Sequence, residues 1–67
     1  MIGSTISGYY YRNTGGKPLQ FRARCGEIVE IKTHPPRGNA EGYTTAVVRW
    51  LDDGGTSLIF VERLLFN

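Results

Sequence analysis

The chain has 67 residues, of which 40% are hydrophobic and 12% aromatic, and eight Lys and Arg against six Asp and Glu give a net charge of +2. This length leaves room for one hydrophobic core and not for two domains, and the composition favours a folded chain over a disordered one. No stretch approaches the roughly 18 apolar residues of a membrane-spanning helix. The chain begins at Met1 without a signal-peptide pattern, so we expect a complete cytoplasmic gene product that does not contact membranes.

Cysteine and histidine each occur once, as Cys25 and His34. An intramolecular disulfide is therefore excluded, and a structural zinc site would lack ligands. A lone cysteine also fits a reducing compartment better than a secreted context. A chain this short then needs an efficient core or self-association, so a homo-oligomer is left open.

Short runs of β-branched and aromatic residues, separated by clusters of Gly, Pro, Asn and Asp, predict an all-β domain of about five short antiparallel strands. The first strand is predicted over residues 5–12 and carries Tyr9, Tyr10 and Tyr11 in succession. Because a two-sided strand cannot bury all three rings, at least one tyrosine is expected at the surface or at an interface. A hairpin turn is predicted at residues 12–16, where Asn and Gly accept a positive φ.

The second strand is predicted over residues 18–25, where apolar and polar residues alternate. Its buried face is predicted to carry Leu19, Phe21, Ala23 and Cys25. Its opposite, cationic face is predicted to carry Gln20, Arg22 and Arg24. Gly26 interrupts the alternation, which predicts a bulge or a bend within a strand that continues through residues 27–32.

The second half of the chain predicts a loop followed by a compact hairpin. Residues 33–42 are rich in polar and helix-breaking or strand-breaking types, including Pro35 and Pro36, and predict a long loop in which residues 34–42 are a candidate binding segment. A strand is predicted over residues 43–51, a turn at the sequence Asp-Asp-Gly-Gly of residues 52–55, and another strand over residues 56–61. Residues 61–64 predict one helical turn before a last strand over residues 65–67.

The alternation of apolar residues also predicts the core. Trp50 is expected to be only partly buried. The predicted core residues are Ile6, Leu19, Phe21, either Ile28 or Val29, Ile31, Ala46, Val48, Ile59, Val61 and Leu64.

The order of features from Gly26 onward resembles the SH3-like small β-barrels found in KOW, Tudor-like and photosystem I accessory proteins. The matching segments are Gly-Glu-Ile-Val-Glu-Ile at residues 26–31, Ala-Val-Val-Arg-Trp at 46–50, the turn at 52–55 and Leu-Ile-Phe-Val-Glu-Arg-Leu at 58–64. The resemblance covers about two thirds of the chain and implies a single SH3-like barrel domain over residues 1–67. It also implies binding to nucleic acid, peptides or nucleoprotein partners through loops and an open strand face.

One enzyme of this fold family, the type II dihydrofolate reductase, is a tetramer of such barrels around a pore. Residues 41–43 and the hexapeptide Gly-Thr-Ser-Leu-Ile-Phe of residues 55–60 look similar to parts of that enzyme. Leu58 stands where the enzyme has a ligand-binding glutamine, and Phe60 stands where it has tyrosine. A site without these polar groups cannot orient a pteridine and a nicotinamide in the same way.

The sequence offers little for catalysis. Cys25 lies within an apolar alternation and is interpreted as a small buried thiol, and His34 is interpreted as a solvated loop residue. The needs of a glycine turn explain Asp52 and Asp53 almost completely. We therefore expect a protein that is not an enzyme and binds neither a cofactor nor a metal.

Basic residues interleaved with aromatic ones favour a binding surface that contacts phosphates and stacks on bases. The competing interpretation is a charged face that only keeps the protein soluble. The candidate residues for contact with nucleic acid or a protein of a nucleoprotein complex are Tyr9, Tyr11, Arg12, Lys17, Arg22, Arg24, His34, Arg37 and Arg49.

The function expected from these residues is a small binding module for nucleic acid or a nucleoprotein complex. An alternative is a protein–protein adaptor or inhibitor, for example an accessory factor of a phage or another mobile element. Exposed tyrosines would then serve a protein interface.

Overall fold

A computed structural model describes residues 2–12, 15 and 18–67, and it consists of one five-stranded antiparallel sheet. The strands are β1 (Thr5–Tyr11), β2 (Gln20–His34), β3 (Tyr43–Trp50), β4 (Thr56–Phe60) and β5 (Leu64–Phe66), and a 3-10 turn at Val61–Arg63 separates the last two. The order across the sheet is β4-β3-β2-β1-β5. In the part of the chain described here the sheet is open, with β4 and β5 as its edges. The predicted all-β class, the five antiparallel strands and the 3-10 turn are confirmed.

No helix among the described residues is long and apolar enough to cross a membrane.

The long strand β2 organises the sheet, because β1 pairs with its first half and β3 with its second. The predicted continuity through Gly26 is confirmed. The register slips at two places: Ser7 alone lies opposite Arg24 and Cys25, and the pairing with β3 shifts between Ile28 and Glu30. Such extra residues bend and twist a strand, which lets one long strand belong to both halves of a curved sheet.

Gly26 is required for space. A Cβ atom at this position would lie 2.5 Å from Cγ1 of Val48 and 3.0 Å from the Trp50 ring. Real carbon atoms do not approach this closely, so the glycine allows β3 side chains to pack directly on the β2 backbone.

The predicted facing of residues 19–25 is wrong. Ile28 and Gly26 are buried on what we call the inner face of the sheet, and alternation along β2 places Arg24 on that same face. Leu19 and Phe21 are instead 45% and 44% exposed, and Cys25 is exposed rather than a buried core thiol. The prediction assigned the apolar side of the alternation to the core. In the structure the charged side carries Arg24, which packs on the Trp50 ring of the inner face.

The core lies on the inner face. Its buried members are Ile6, Ile28, Ala46, Val48, Trp50 and Leu64. All except Trp50 were predicted to be core residues, and Ile31, Ile59 and Val61 pack against the cluster while partly buried. Trp50 is only 2% exposed, so the prediction that it is partly buried is wrong.

We predict that Val48→Asp unfolds the protein. The side chain is fully buried, and an unpaired charge there costs several kcal/mol against a total stability of about 5 kcal/mol. Leu58→Asp, at a position 61% exposed, is the control and keeps a cooperative thermal transition. A Val48→Asp protein that melts like the parent by circular dichroism would contradict the assignment of the inner face.

Candidate functional site

Three aromatic rings form a continuous row on the inner face, which we call the aromatic row: Tyr11, Tyr9 and Trp50. The ring centroids of Tyr11 and Tyr9 are 6.0 Å apart, and those of Tyr9 and Trp50 are 5.4 Å apart. Strand pairing places Arg22 directly opposite Tyr9 and Gln20 opposite Tyr11. The Tyr11 hydroxyl donates a hydrogen bond of 3.1 Å to Oε1 of Gln20. The row therefore has a buried end at Trp50 and an accessible end at Tyr11.

Arg24 covers the buried end of the row. Its guanidinium carbon lies 4.3 Å from the centroid of the Trp50 ring. Its Nε donates to Oδ2 of Asp52 at 2.9 Å, and its Nη2 donates to Oδ1 of Asp52 and to Oδ2 of Asp53, both at 3.1 Å. One arginine thus connects the aromatic row to the β3–β4 turn.

The β3–β4 turn has the predicted position and a second role. Its backbone closes with hydrogen bonds from Trp50 N to Gly55 O and from Gly54 N to Trp50 O, at 2.8 and 3.0 Å, with Gly54 at φ +75°. Asp53 also accepts a hydrogen bond from Gly55 N at 2.8 Å, as its turn chemistry predicts. The interpretation that the turn alone explains both acids is incomplete, since both carboxylates also bind Arg24.

The contact shifts the ionisation of both partners. The hydrogen bond to Asp52 raises the pKa of Arg24 above its ordinary value, and the same bond lowers the pKa of Asp52. Each charged form is favoured by the other. Arg24 is consequently a structural cation, and its guanidinium is occupied before any ligand arrives.

The remaining predicted arginines differ in their partners. Arg49 forms an ion pair of 3.4 Å with Glu27. Arg12 and Arg22 are exposed, and neither forms an ion pair with another residue that the structure describes. The predicted contact at Lys17 lies outside the described residues.

His34 and Arg37 lie in a separate cleft of about 450 Å³ that also contains Pro35, Pro36 and Tyr43. His34 is the last residue of β2, so its predicted place in the loop is wrong. Its ring stacks on Tyr43 at 4.3 Å, and its Nε2 lies 3.2 Å from Oγ1 of the buried Thr45. The predicted site residues therefore do not converge on one surface.

A smaller cleft of about 200 Å³ lies between β1 and β4, at the accessible end of the aromatic row. The three consecutive tyrosines line one side, and Leu58, Phe60 and Arg63 line the other. The Arg63 guanidinium lies 5.2 Å from the Phe60 ring centroid. The sequence analysis did not include Arg63 among the candidate residues. Its position in the turn directly after β4 could have indicated that it lies near the end of that strand.

Tyr10 is 40% exposed and contacts Phe21, with ring centroids 5.0 Å apart. This confirms that at least one of the three tyrosines reaches the surface. Phe21 lies over Gly8, where a Cβ would collide with its ring.

The residues that the structure describes contain no cluster of three His, Cys, Asp or Glu side chains that could hold a metal ion.

Compared with protein-family models, with curated proteins and with solved structures, the chain gives no match in any of the three. No family is assigned to it on that basis, so function has to be argued from the geometry of these surfaces.

We predict that Arg24→Ala lowers the melting temperature by roughly 5 °C, because it uncovers Trp50 and leaves two neighbouring carboxylates without a cation. Arg49→Ala is the matched control, since its ion pair with Glu27 is longer and its side chain is 54% exposed. The control is expected to melt close to the parent. Equal melting temperatures for parent and Arg24→Ala would show that the contact is not structural.

The same contact predicts a dependence on acid. Because the pKa of Asp52 is lowered in the folded state, its contribution is present above the ordinary aspartate range and is lost as the pH falls through the folded pKa. Melting temperatures measured from neutral pH to about pH 2 should fall for the parent and fall less for Asp52→Asn. Identical acid dependence in the two proteins would contradict this assignment.

Proposed function

We propose that the protein is a non-enzymatic binding module that holds single-stranded nucleic acid on the surface formed by Tyr9, Tyr11, Arg12 and Arg22. We call this surface the Tyr/Arg face. The observation that carries the proposal is the pairing of Tyr9 with Arg22 across β1 and β2, beside a second tyrosine ring 6.0 Å away. Neighbouring aromatic rings beside free guanidinium groups suit a strand with unpaired bases and an anionic backbone.

Stacking is supported by the exposure and spacing of the two rings. Tyr9 and Tyr11 are half-buried, so each ring is held by protein on one side and can offer surface on another. Stacked bases are worth about 1–3 kcal/mol each and need no particular sequence. The cleft beside Tyr11, with Phe60 and Arg63 on its far wall, would add a place for a base at the end of the face.

Charge supports the same ligand. Arg12 and Arg22 have no ion-pair partner among the described residues, so a phosphate would not have to displace a carboxylate. Arg24 and Arg49 are already paired and are left out of the proposed contacts. Lys17 follows Arg12 in the segment that joins β1 to β2, and we keep it as a proposed phosphate contact.

We further infer that the open sheet is an SH3-like barrel. The strand order β4-β3-β2-β1-β5 and the 3-10 turn before the last strand support this inference. β1 and β4 are not neighbours in the sheet, yet both line the same small cleft, as expected when a sheet curls on itself. Such curling would place the Tyr/Arg face at the opening of the barrel.

We predict that dye-labelled oligothymidylate or oligouridylate binds at low salt, as measured by fluorescence anisotropy. Arg12→Ala combined with Arg22→Ala should weaken binding and reduce the slope of log K against log salt by about 1.4, since each phosphate contact contributes about 0.7 on a single strand. Tyr11→Ala should weaken binding about tenfold through lost stacking, whereas Tyr11→Phe should retain most of it.

The matched control is Lys32→Ala combined with Arg37→Ala, which removes the same charge from exposed positions away from the Tyr/Arg face. It should keep most of the affinity. No binding at about 50 mM salt, or an equal loss in the control, would refute the proposal. Retention of a protein partner resistant to nuclease and high salt, with no binding of oligonucleotides, would favour the adaptor alternative.

A further inference from the structure

A second cleft, on the side of the sheet where β3 begins and β4 ends, differs from the Tyr/Arg face in charge. It encloses about 760 Å³ and is lined by Glu41, Gly42, Tyr43, Thr44, Phe60, Val61 and Glu62. Its walls therefore combine two aromatic rings with two carboxylates. No basic residue lines it, and Glu41 and Tyr43 also line the adjoining cleft that contains Arg37. We call it the acidic corner.

The aromatic walls of the acidic corner are held in place. The rings of Tyr43 and Phe60 meet at 63° with centroids 5.5 Å apart. His34 stacks behind Tyr43 at 4.3 Å and is itself fixed by its contact with Thr45. Tyr43 is nevertheless 49% exposed and lines the cleft.

The two carboxylates of the acidic corner form no ion pair with any residue that the structure describes. Of the six acidic residues in the chain, Glu27, Asp52 and Asp53 form ion pairs with arginines. Among the described residues, the other three form none, and two of these three, Glu41 and Glu62, line this cleft. In the described part of the chain, two of the three carboxylates without an ion pair therefore lie beside exposed aromatic rings.

This combination fits an organic cation. A guanidinium or ammonium group is attracted to the face of an aromatic ring and to carboxylates, and both attractions strengthen when water is excluded. One of the two rings already has such a neighbour, because the Arg63 guanidinium lies 5.2 Å from the Phe60 ring centroid.

We propose that the acidic corner binds an arginine or lysine side chain from a basic segment of a partner protein. The cation would lie against Tyr43, with Glu41 and Glu62 as its counter-ions. The corner does not use the residues of the Tyr/Arg face, so the proposal stands or falls independently of nucleic-acid binding.

The test is anisotropy with a short dye-labelled peptide of alternating arginine and glycine, together with versions in which lysine or glutamate replaces arginine. The arginine peptide should bind most tightly because a planar guanidinium stacks on a ring as well as pairing with carboxylates. The glutamate peptide should not bind. Equal binding of the arginine and glutamate peptides would overturn the proposal.

Variants separate the corner from general electrostatics. Glu41→Gln combined with Glu62→Gln should weaken binding of the arginine peptide about tenfold. Glu30→Gln, which removes the third unpaired carboxylate at an exposed position outside the cleft, should change it less than about twofold. An equal loss per charge in the control would mean that the peptide responds only to net charge, which contradicts a defined site.

The ring is tested by Tyr43→Phe and Tyr43→Leu. The phenylalanine variant should bind the arginine peptide nearly as well as the parent, and the leucine variant should bind it about fivefold more weakly. Thermal melts establish that both are folded. Equal binding by folded phenylalanine and leucine variants would remove the aromatic ring from the proposed site.

Discussion

The contact of Arg24 with Trp50, Asp52 and Asp53 is the interaction that connects the core to the β3–β4 turn and to the aromatic row. It caps the largest side chain of the core, so that Trp50 is 2% exposed in a chain of 67 residues. It also joins the middle of β2 to the turn between β3 and β4 through three hydrogen bonds. Since a small domain has few core residues, one well-covered tryptophan is a large part of its buried surface.

The contact also determines which groups remain for binding. Trp50 contacts Tyr9, and Tyr9 contacts Tyr11, so the aromatic row runs without a break from the core to the surface. Asp52 and Asp53 form ion pairs with Arg24, and Glu27 forms one with Arg49. Among the described residues, Arg22 opposite Tyr9 forms no ion pair, and neither do Glu41 and Glu62 in the cleft with Tyr43 and Phe60. Two surfaces of opposite charge suit a protein that connects an anionic ligand to a basic partner.

The strands and the facing of β3 could be predicted because the alternation of apolar and polar residues and the positions of turn residues depend on local backbone geometry. Val48 is an example: it is buried, whereas its chain neighbours Val47 and Arg49 are half-buried and exposed. The facing of residues 19–25 could not be predicted, because Leu19, Phe21, Ala23 and Cys25 alternate in the way that a buried face does. Contacts with Trp50, Asp52 and Asp53, which are distant in sequence, hold Arg24 on the inner face. The sequence singled out Tyr9, Tyr11 and Arg22 as candidates, and their role in binding stays a prediction. It did not indicate the acidic corner, because Tyr43 and Phe60 meet only through sheet pairing.

The proposed nucleic-acid surface is the accessible end of the aromatic row. The most direct measurement is an NMR titration of the protein with oligothymidylate, following backbone amides and tyrosine ring protons at low salt. We expect saturable shifts at Tyr9, Tyr11, Arg12 and Arg22, with Tyr43 and Glu62 unaffected. Shifts centred on Arg37 and Tyr43 instead, or none at all, would contradict it.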